Sequence, residues 1–239
     1  MIEIRRTQLD TPADSADAYD EFYATIGIGL RLSFYKWIVR LINPAPGTTL
    51  LDMSCGEAKI ATLAERRGVR AVGVDLAPLP LRSARARGVQ AVQGDCERMP
   101  FPDARFDYVA NIGSLEHYLR PELGMADMRR VLKPGGLACV MLPNTYGLFG
   151  NIHYALRVGD AFDDGQPLQR YNTRRGWQRM LEHAGFAVER IVAYEREVPV
   201  SAADVAWLLR RPTKIARVLL APIIPVNVAN CIVYMCRAA

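Results

Sequence analysis

Leu50-Leu51-Asp52-Met53-Ser54-Cys55-Gly56-Glu57 is the stretch from which the fold is read. Thr48 to Met53 is a short apolar run with the character of a buried strand. Ser54, Cys55 and Gly56 then make a tight turn. A helical pattern follows over 58–67, with Ile60, Leu63 and Ala64 on one face and Gly68 at its stop. A strand that enters a tight turn and then a helix aims backbone N–H groups and a helix N-terminus at the carboxyl edge of a sheet. Open α/β folds bind their ligands at that edge.

The same alternation extends outward from this stretch. Residues 69–74, 89–92, 106–111 and 137–142 read as strands. Helices over 79–87 and 121–132 lie between them, the second stopped by Pro134-Gly135-Gly136. The repeated β-α order predicts a parallel sheet covered on both faces by helices. Upstream, helices over 15–23 and 30–42 are separated by Gly27 and Gly29, and Pro44, Pro46 and Gly47 then break the pattern. Downstream, 144–171 is polar and aromatic, and is followed by a helix over 173–184 and a strand over 186–194. A helical stretch over 203–221, broken at Pro212, and a last strand over 228–235 complete the reading.

Three acidic residues fall at three successive strand ends: Asp52, Asp75 in Gly73-Val74-Asp75-Leu76, and Asp95 in Gly94-Asp95-Cys96. A carboxylate at the second position can accept both hydroxyls of a ribose. Asp95 can accept from an exocyclic amine such as that of adenine. The ordered set predicts a nucleoside-binding edge. A dinucleotide oxidoreductase would also use a glycine turn and an acidic ribose ligand, but it needs GxGxxG, which this turn does not contain.

Four stretches then carry a resemblance: LLDMSCGEAKIATLAERRG at 50–68, GVDLAP at 73–78, GDCERMPFPDARFDYV at 94–109, and GSLEH at 113–117 with MRRVLKPGG at 128–136. In these the chain resembles the class I S-adenosylmethionine-dependent methyltransferase superfamily, in its small-molecule, type-11-like branch. The resemblance implies a Rossmann-like α/β fold: a seven-stranded, mostly parallel sheet with an antiparallel last strand and helices on both faces. It implies S-adenosyl-L-methionine as cofactor. Asp52 and Gly56, with Met53, Ser54 and Cys55 between them, would lie at the methionine part. Asp75, with Leu76 beside it, would hold the ribose, and Asp95 and Cys96 the adenine. Asn111 and Ile112 would line the pocket near the sulfonium. The family turn is DxGxGxG, and here two of its glycines are Ser54 and Ala58. One domain is expected over 1–239, with a helical cap at 1–45, a cofactor-binding core at 46–142, and an acceptor-side insertion with closing strands at 143–239.

Of the three histidines, His117 follows the fourth strand at the carboxyl edge and is the candidate general base, with Glu116 beside it. The competing reading is that both only cap or pack the next helix. Acceptor contacts are expected from Tyr19 and Tyr23 in the cap and from Tyr146, His153, Tyr154, Arg170 and Tyr171 in the insertion. Nucleic-acid acceptors are disfavoured. The position after the fourth strand reads Asn111-Ile112-Gly113-Ser114 rather than (Asp/Asn)-Pro-Pro-aromatic, no Pro-Cys pair exists, and the basic residues form no long run. The five cysteines include no CxxC pair, so no metal site is expected. No charged-then-apolar leader is seen and no apolar run reaches about 18 residues, so a reducing cytoplasm is the expectation. The expected reaction is methyl transfer to an oxygen or nitrogen of a small organic acceptor. The segment 207–226 is basic and apolar and reads in two ways: a helical insertion over the sheet, or a peripheral contact with an anionic membrane. The second would suit a lipid or quinone-type acceptor. A cofactor-binding partner subunit without catalysis is the alternative from another class.

Overall fold

The computed structural model describes residues 1–26, 29–194 and 199–239, so Gly27 lies outside the described residues. The strands are β1 (Ile2–Arg5), β2 (Thr49–Met53), β3 (Arg70–Asp75), β4 (Ala91–Gln93), β5 (Phe106–Ile112), β6 (Leu132–Pro143), β7 (Leu168–Tyr171), β8 (Phe186–Ala193) and β9 (Cys231–Ala238). The helices are α1 (Pro12–Thr25), α2 (Leu32–Ile42), α3 (Lys59–Glu65), α4 (Pro78–Ala86), α5 (Pro121–Val131), α6 (His153–Val158), α7 (Arg174–His183), α8 (Ala202–Leu209) and α9 (Pro212–Leu220). Seven strands form the central sheet in the order β4-β3-β2-β5-β6-β9-β8. The pairs from β4 to β6 are parallel, and β9 runs antiparallel to both β6 and β8. The strand order reverses at β2, between β3 and β5, which opens a crevice beyond the carboxyl end of β2.

Burial on both faces explains why β2 is apolar throughout. Leu50 packs in the core that α2 and α3 cover, with Phe34, Ile38 and Ala61. Leu51 and Met53 pack in the opposite core, with Met125 of α5 and Trp177 of α7. Trp177 is fully buried, and its indole N–H donates to the Pro143 carbonyl at 2.8 Å. α1 begins at Pro12 rather than at 15 because Thr11 and Asp14 form a capping box, each side chain meeting the other's backbone N–H. The stretch 203–221 is two helices, with α9 beginning at Pro212. The last strand lies three residues later than the sequence suggests, after a 3-10 turn at Val226–Val228.

One element has no precursor in the sequence reading. β1 and β7 form a separate antiparallel ribbon, Ile2 opposite Tyr171 and Arg5 opposite Leu168. Arg170 pins it to the main body. Its Nε donates to Glu3 Oε2 at 2.7 Å, and its other nitrogens donate to the carbonyls of Tyr118 and Leu119. The ribbon thereby holds the loop that follows β5. Arg170→Leu removes these charge-assisted bonds and should destabilise the protein by about 2 kcal/mol or more. At about 2–4 °C per kcal/mol for a chain of this size, thermal denaturation should show a drop of several degrees. An unchanged melting temperature would mean that the ribbon is held by other contacts.

Candidate active site

The turn after β2 is built from left-handed backbone. Ser54, Gly56 and Ala58 have φ of 54°, 51° and 54°. Only glycine adopts this conformation freely, and other residues pay about 1–2 kcal/mol. Gly56 is also required by space, since a Cβ there would lie 2.6 Å from the Tyr23 hydroxyl oxygen. Ser54 is held by a chain of hydrogen bonds. Asn111 Nδ2 donates to the Tyr118 hydroxyl at 2.9 Å, that hydroxyl lies 2.6 Å from Ser54 Oγ, and Ser54 Oγ donates to Cys96 Sγ at 3.4 Å. Ala58, fully buried, puts its methyl into the core beneath α2 and α3.

Two carboxylates flank the turn. Asp75 is buried at the end of β3, where Oδ2 accepts the Gly56 N–H at 2.7 Å and Oδ1 accepts the Ala77 N–H at 2.9 Å. Asp52 is buried at the end of β2, with Oδ2 accepting the Ala61 N–H of α3 at 3.0 Å. Burial pushes Asp75 up to about 6. Burial, with the nearby Asp75 charge added, pushes Asp52 up to about 7. Both border a cleft of about 1190 Å³ counted with the open solvent at its mouth, lined by the turn after β2, the ends of β3 and β4, α1 and the turn after β5. Asp95 lines it as well, its Oδ1 accepting the Glu97 N–H at 2.8 Å.

On the other side of the cleft, the turn after β5 presents His117. Its Nδ1 meets the Leu168 carbonyl of β7 at 2.5 Å, and the Tyr19 hydroxyl donates to the same carbonyl at 3.3 Å. A carbonyl only accepts, so Nδ1 carries the proton and the neutral ring keeps its lone pair on Nε2. Burial lowers the His117 pKa below its ordinary value. Glu116 is buried behind it, with Oε1 3.8 Å from His117 Nε2 and Oε2 without a hydrogen-bond partner. Burial raises Glu116 to about 8. Ser15 and Ser114 line the cleft, and the Oγ atoms of both are buried without a hydrogen-bond partner.

Most residues singled out in the sequence line this one cleft: Asp52, Ser54, Cys55, Gly56, Asp75, Leu76, Asp95, Cys96 and Ile112, together with Tyr19, Tyr23 and His117. Others lie elsewhere. Met53 faces the core, because strand alternation turns it away from the side of Asp52. Asn111 is fully buried and holds Tyr118, and Glu116 sits behind the wall. None of the five insertion residues expected to contact an acceptor lies on the wall of this cleft. Tyr146 is exposed, His153 is exposed on α6, and Tyr154 packs edge-on against Phe162. Arg170 is engaged with Glu3 and two carbonyls, and the Tyr171 hydroxyl donates to the Phe162 carbonyl at 2.8 Å. The sequence reading missed Tyr35, Lys59, Ser15, Ser114 and Tyr118, all on the cleft wall. Ser114 and Tyr118 could have been found, since they lie within and next to the GSLEH stretch.

The left-handed turn makes a direct prediction. Ala58→Gly relieves about 1–2 kcal/mol of backbone strain and forfeits about 0.8 kcal/mol of methyl burial, so stability should change little or rise. Ala64→Gly, equally buried but inside α3, adds about 1 kcal/mol of helix penalty to the same methyl loss. Urea titration of both variants should find Ala64→Gly clearly the less stable. Equal losses would contradict the strain at 58.

The comparisons with known proteins agree with this geometry. The sequence profile described as a methyltransferase domain matches residues 51–140. An uncharacterized methyltransferase of Synechocystis sp. is 29% identical over 174 residues, covering 70% of this chain and 80% of that one. The demethylmenaquinone methyltransferase of Thermus thermophilus is 29% identical over 151 residues, covering 59% and 69%. In fold, the structure of a SAM-dependent methyltransferase from Archaeoglobus fulgidus superposes with a TM-score of 0.64 at 17% identity, covering 92% of this chain and 99% of that one. The cleft suits S-adenosylmethionine, because buried carboxylates raised by desolvation favour a ligand that carries cationic groups and hydroxyls. The methyltransferase-domain match over residues 51–140, the strand order and this cleft together support a class I S-adenosylmethionine-dependent methyltransferase of the type-11-like branch, with S-adenosylmethionine as cofactor.

Proposed function

We propose that this methyltransferase acts on an oxygen or nitrogen of a small organic acceptor that enters between α1 and the turn after β5. The observation that carries the reading is the pair of buried, unpartnered hydroxyls of Ser15 and Ser114 in the cleft that His117 also lines. A buried hydroxyl without a partner costs about 1–3 kcal/mol. An acceptor bearing hydrogen-bonding atoms removes that cost, and a purely apolar one does not.

In this reading Asp75 takes the ribose hydroxyls on the lone pairs that Gly56 and Ala77 leave open, and Asp95 takes the adenine amine. Asp52 and the turn 54–56 face the methionine part. The bound cofactor supplies an electrophilic methyl carbon for in-line displacement. The chain aligns the acceptor with it and keeps water out, with Tyr19 and Tyr23 of α1 as the cover. His117 Nε2 accepts the proton that the acceptor loses. Leu168 fixes its tautomer from the Nδ1 side, and Glu116, with Oε1 3.8 Å from Nε2, stands beside the nitrogen that takes the proton.

A second reading, methyl transfer to a lipid or quinone-type acceptor, is favoured by the relative named as a demethylmenaquinone methyltransferase and by exposed apolar residues between the cleft-lining Tyr23 and Tyr35 in the chain. Ile26, Leu30 and Leu32 are 69%, 40% and 48% exposed. An acceptor screen over phenols, amines and quinols, with product detection, separates the two readings.

With the acceptor in hand, His117→Ala should lower turnover about a hundredfold and leave S-adenosylhomocysteine affinity nearly intact. The wild-type rate depends on the neutral ring. Because burial lowers this pKa, the rate should hold down to the ordinary histidine range and fall only below it. The variant should lose that acid limb. Near-normal turnover in the variant, with the limb retained, would remove His117 from the chemistry.

A further inference from the structure

Between Val205 and Val226 the chain carries Arg210, Arg211, Lys214 and Arg217 and no acidic residue. Asp204, just before this stretch, is turned inward. It is 6% exposed, accepts from Ser33 Oγ at 3.3 Å and lies 3.7 Å from the Arg31 guanidinium. α8 and α9 pack on each other as a hairpin. The hairpin shows solvent a set of large apolar side chains: Leu209 is 70% exposed, Leu219 72% and Ile223 75%. A basic, leucine-rich surface of this kind has the composition that seats a helix at a lipid headgroup boundary. Among the described residues no helix is long and apolar enough to cross a membrane, so contact would be at the surface.

The hairpin is continuous with the mouth of the cleft. The Arg31 guanidinium lies 4.0 Å from the Trp207 ring centroid and that of Arg211 lies 4.4 Å from it, so Trp207 of α8 clamps the start of α2. In the same segment the Leu30 N–H donates to the Tyr35 hydroxyl at 3.2 Å, and Tyr35 lines the cleft. Exposed Leu30 and Leu32 thus stand between the hairpin and the cleft wall.

We propose that the α8–α9 hairpin, together with the lip at 29–32, docks on an anionic lipid bilayer and turns the cleft mouth toward it. The inference rests on the second reading of the function only for the reason the surface is visited. Docking itself is read without any methyl transfer. The exposed Arg210 and Arg211 select anionic headgroups, and the exposed leucines and Ile223 supply the apolar insertion.

The test is sedimentation of the full chain with vesicles of phosphatidylcholine, alone or mixed two to one with phosphatidylglycerol. The mixed vesicles should retain about tenfold more protein, and raising salt well above physiological strength should release it. Leu219→Glu with Ile223→Glu should cut retention by about tenfold. These side chains are exposed, so melting temperature and S-adenosylhomocysteine affinity should stay at wild-type values. Arg210→Gln with Arg211→Gln should reduce the preference for mixed vesicles. Wild-type retention in the Leu219→Glu, Ile223→Glu variant, or no retention of wild type on mixed vesicles, overturns the proposal. A concentration-dependent dimer that the same variant dissolves also overturns it, and makes a second copy of the chain the occupant. In each of these cases intact S-adenosylhomocysteine binding leaves the methyltransferase assignment standing.

Discussion

The hydrogen bond from the Gly56 N–H to Asp75 Oδ2 joins the turn after β2 to the end of β3, and the cleft depends on it. It holds the turn against the neighbouring strand while the Ala77 N–H holds the other carboxylate oxygen at the start of the next loop. Both oxygens are fixed, and each keeps a lone-pair direction for a ligand. The arrangement has a cost. Burial lifts Asp75 to about 6 from an ordinary 3.8, so the folded chain holds a proton there more firmly than the unfolded chain does. That contribution to stability is complete below the unfolded value and is lost as pH rises from there through about 6. A ligand with cationic groups and hydroxyls offsets the loss. The site is thus tuned to its cofactor by a carboxylate that is unfavourable without it.

The same turn shows how a departure from glycine is tolerated. Ser54 and Ala58 stand where the family pattern has glycine, and both keep the left-handed backbone that glycine would adopt. Ser54 is compensated locally, because its hydroxyl closes a chain that runs from Asn111 through Tyr118 to Cys96. Ala58 is compensated by burial. The shape that presents Gly56 to Asp75 is therefore retained, and the two substitutions do not by themselves argue for a chain that binds cofactor without catalysis.

The β-α order and the three acidic strand ends were legible because each is written in local pattern: apolar runs, turn glycines and a carboxylate at or just past each strand's end. The seven-stranded sheet was expected only from the family resemblance, and its strand order comes from the structure. The β1–β7 ribbon was not legible. It pairs Ile2 with Tyr171; Ile2–Arg5 alternates apolar and polar but is only four residues long, and Leu168–Tyr171 carries no alternation that marks it as a strand. The placement of Arg170 and Tyr171 off the cleft wall was not legible either, since a polar residue in an irregular segment announces chemistry but not direction. Arg170 is spent on Glu3 and two carbonyls. The core-facing side chain of Met53 was legible, because the two-residue period of β2 turns it away from Asp52. His117 was found by its motif, whereas the partner that sets its tautomer, the Leu168 carbonyl, lies on the strand the sequence concealed.

The account stands on a buried carboxylate that must be ionised to hold the cofactor. Calorimetric titration of S-adenosylhomocysteine across a pH series tests that most directly. Affinity should be constant at alkaline pH, weaken as Asp52 begins to take up its proton near 7, and fall by about tenfold per pH unit or more below the Asp75 value of about 6. An affinity that stays level through that range, or no binding at any pH, would contradict it.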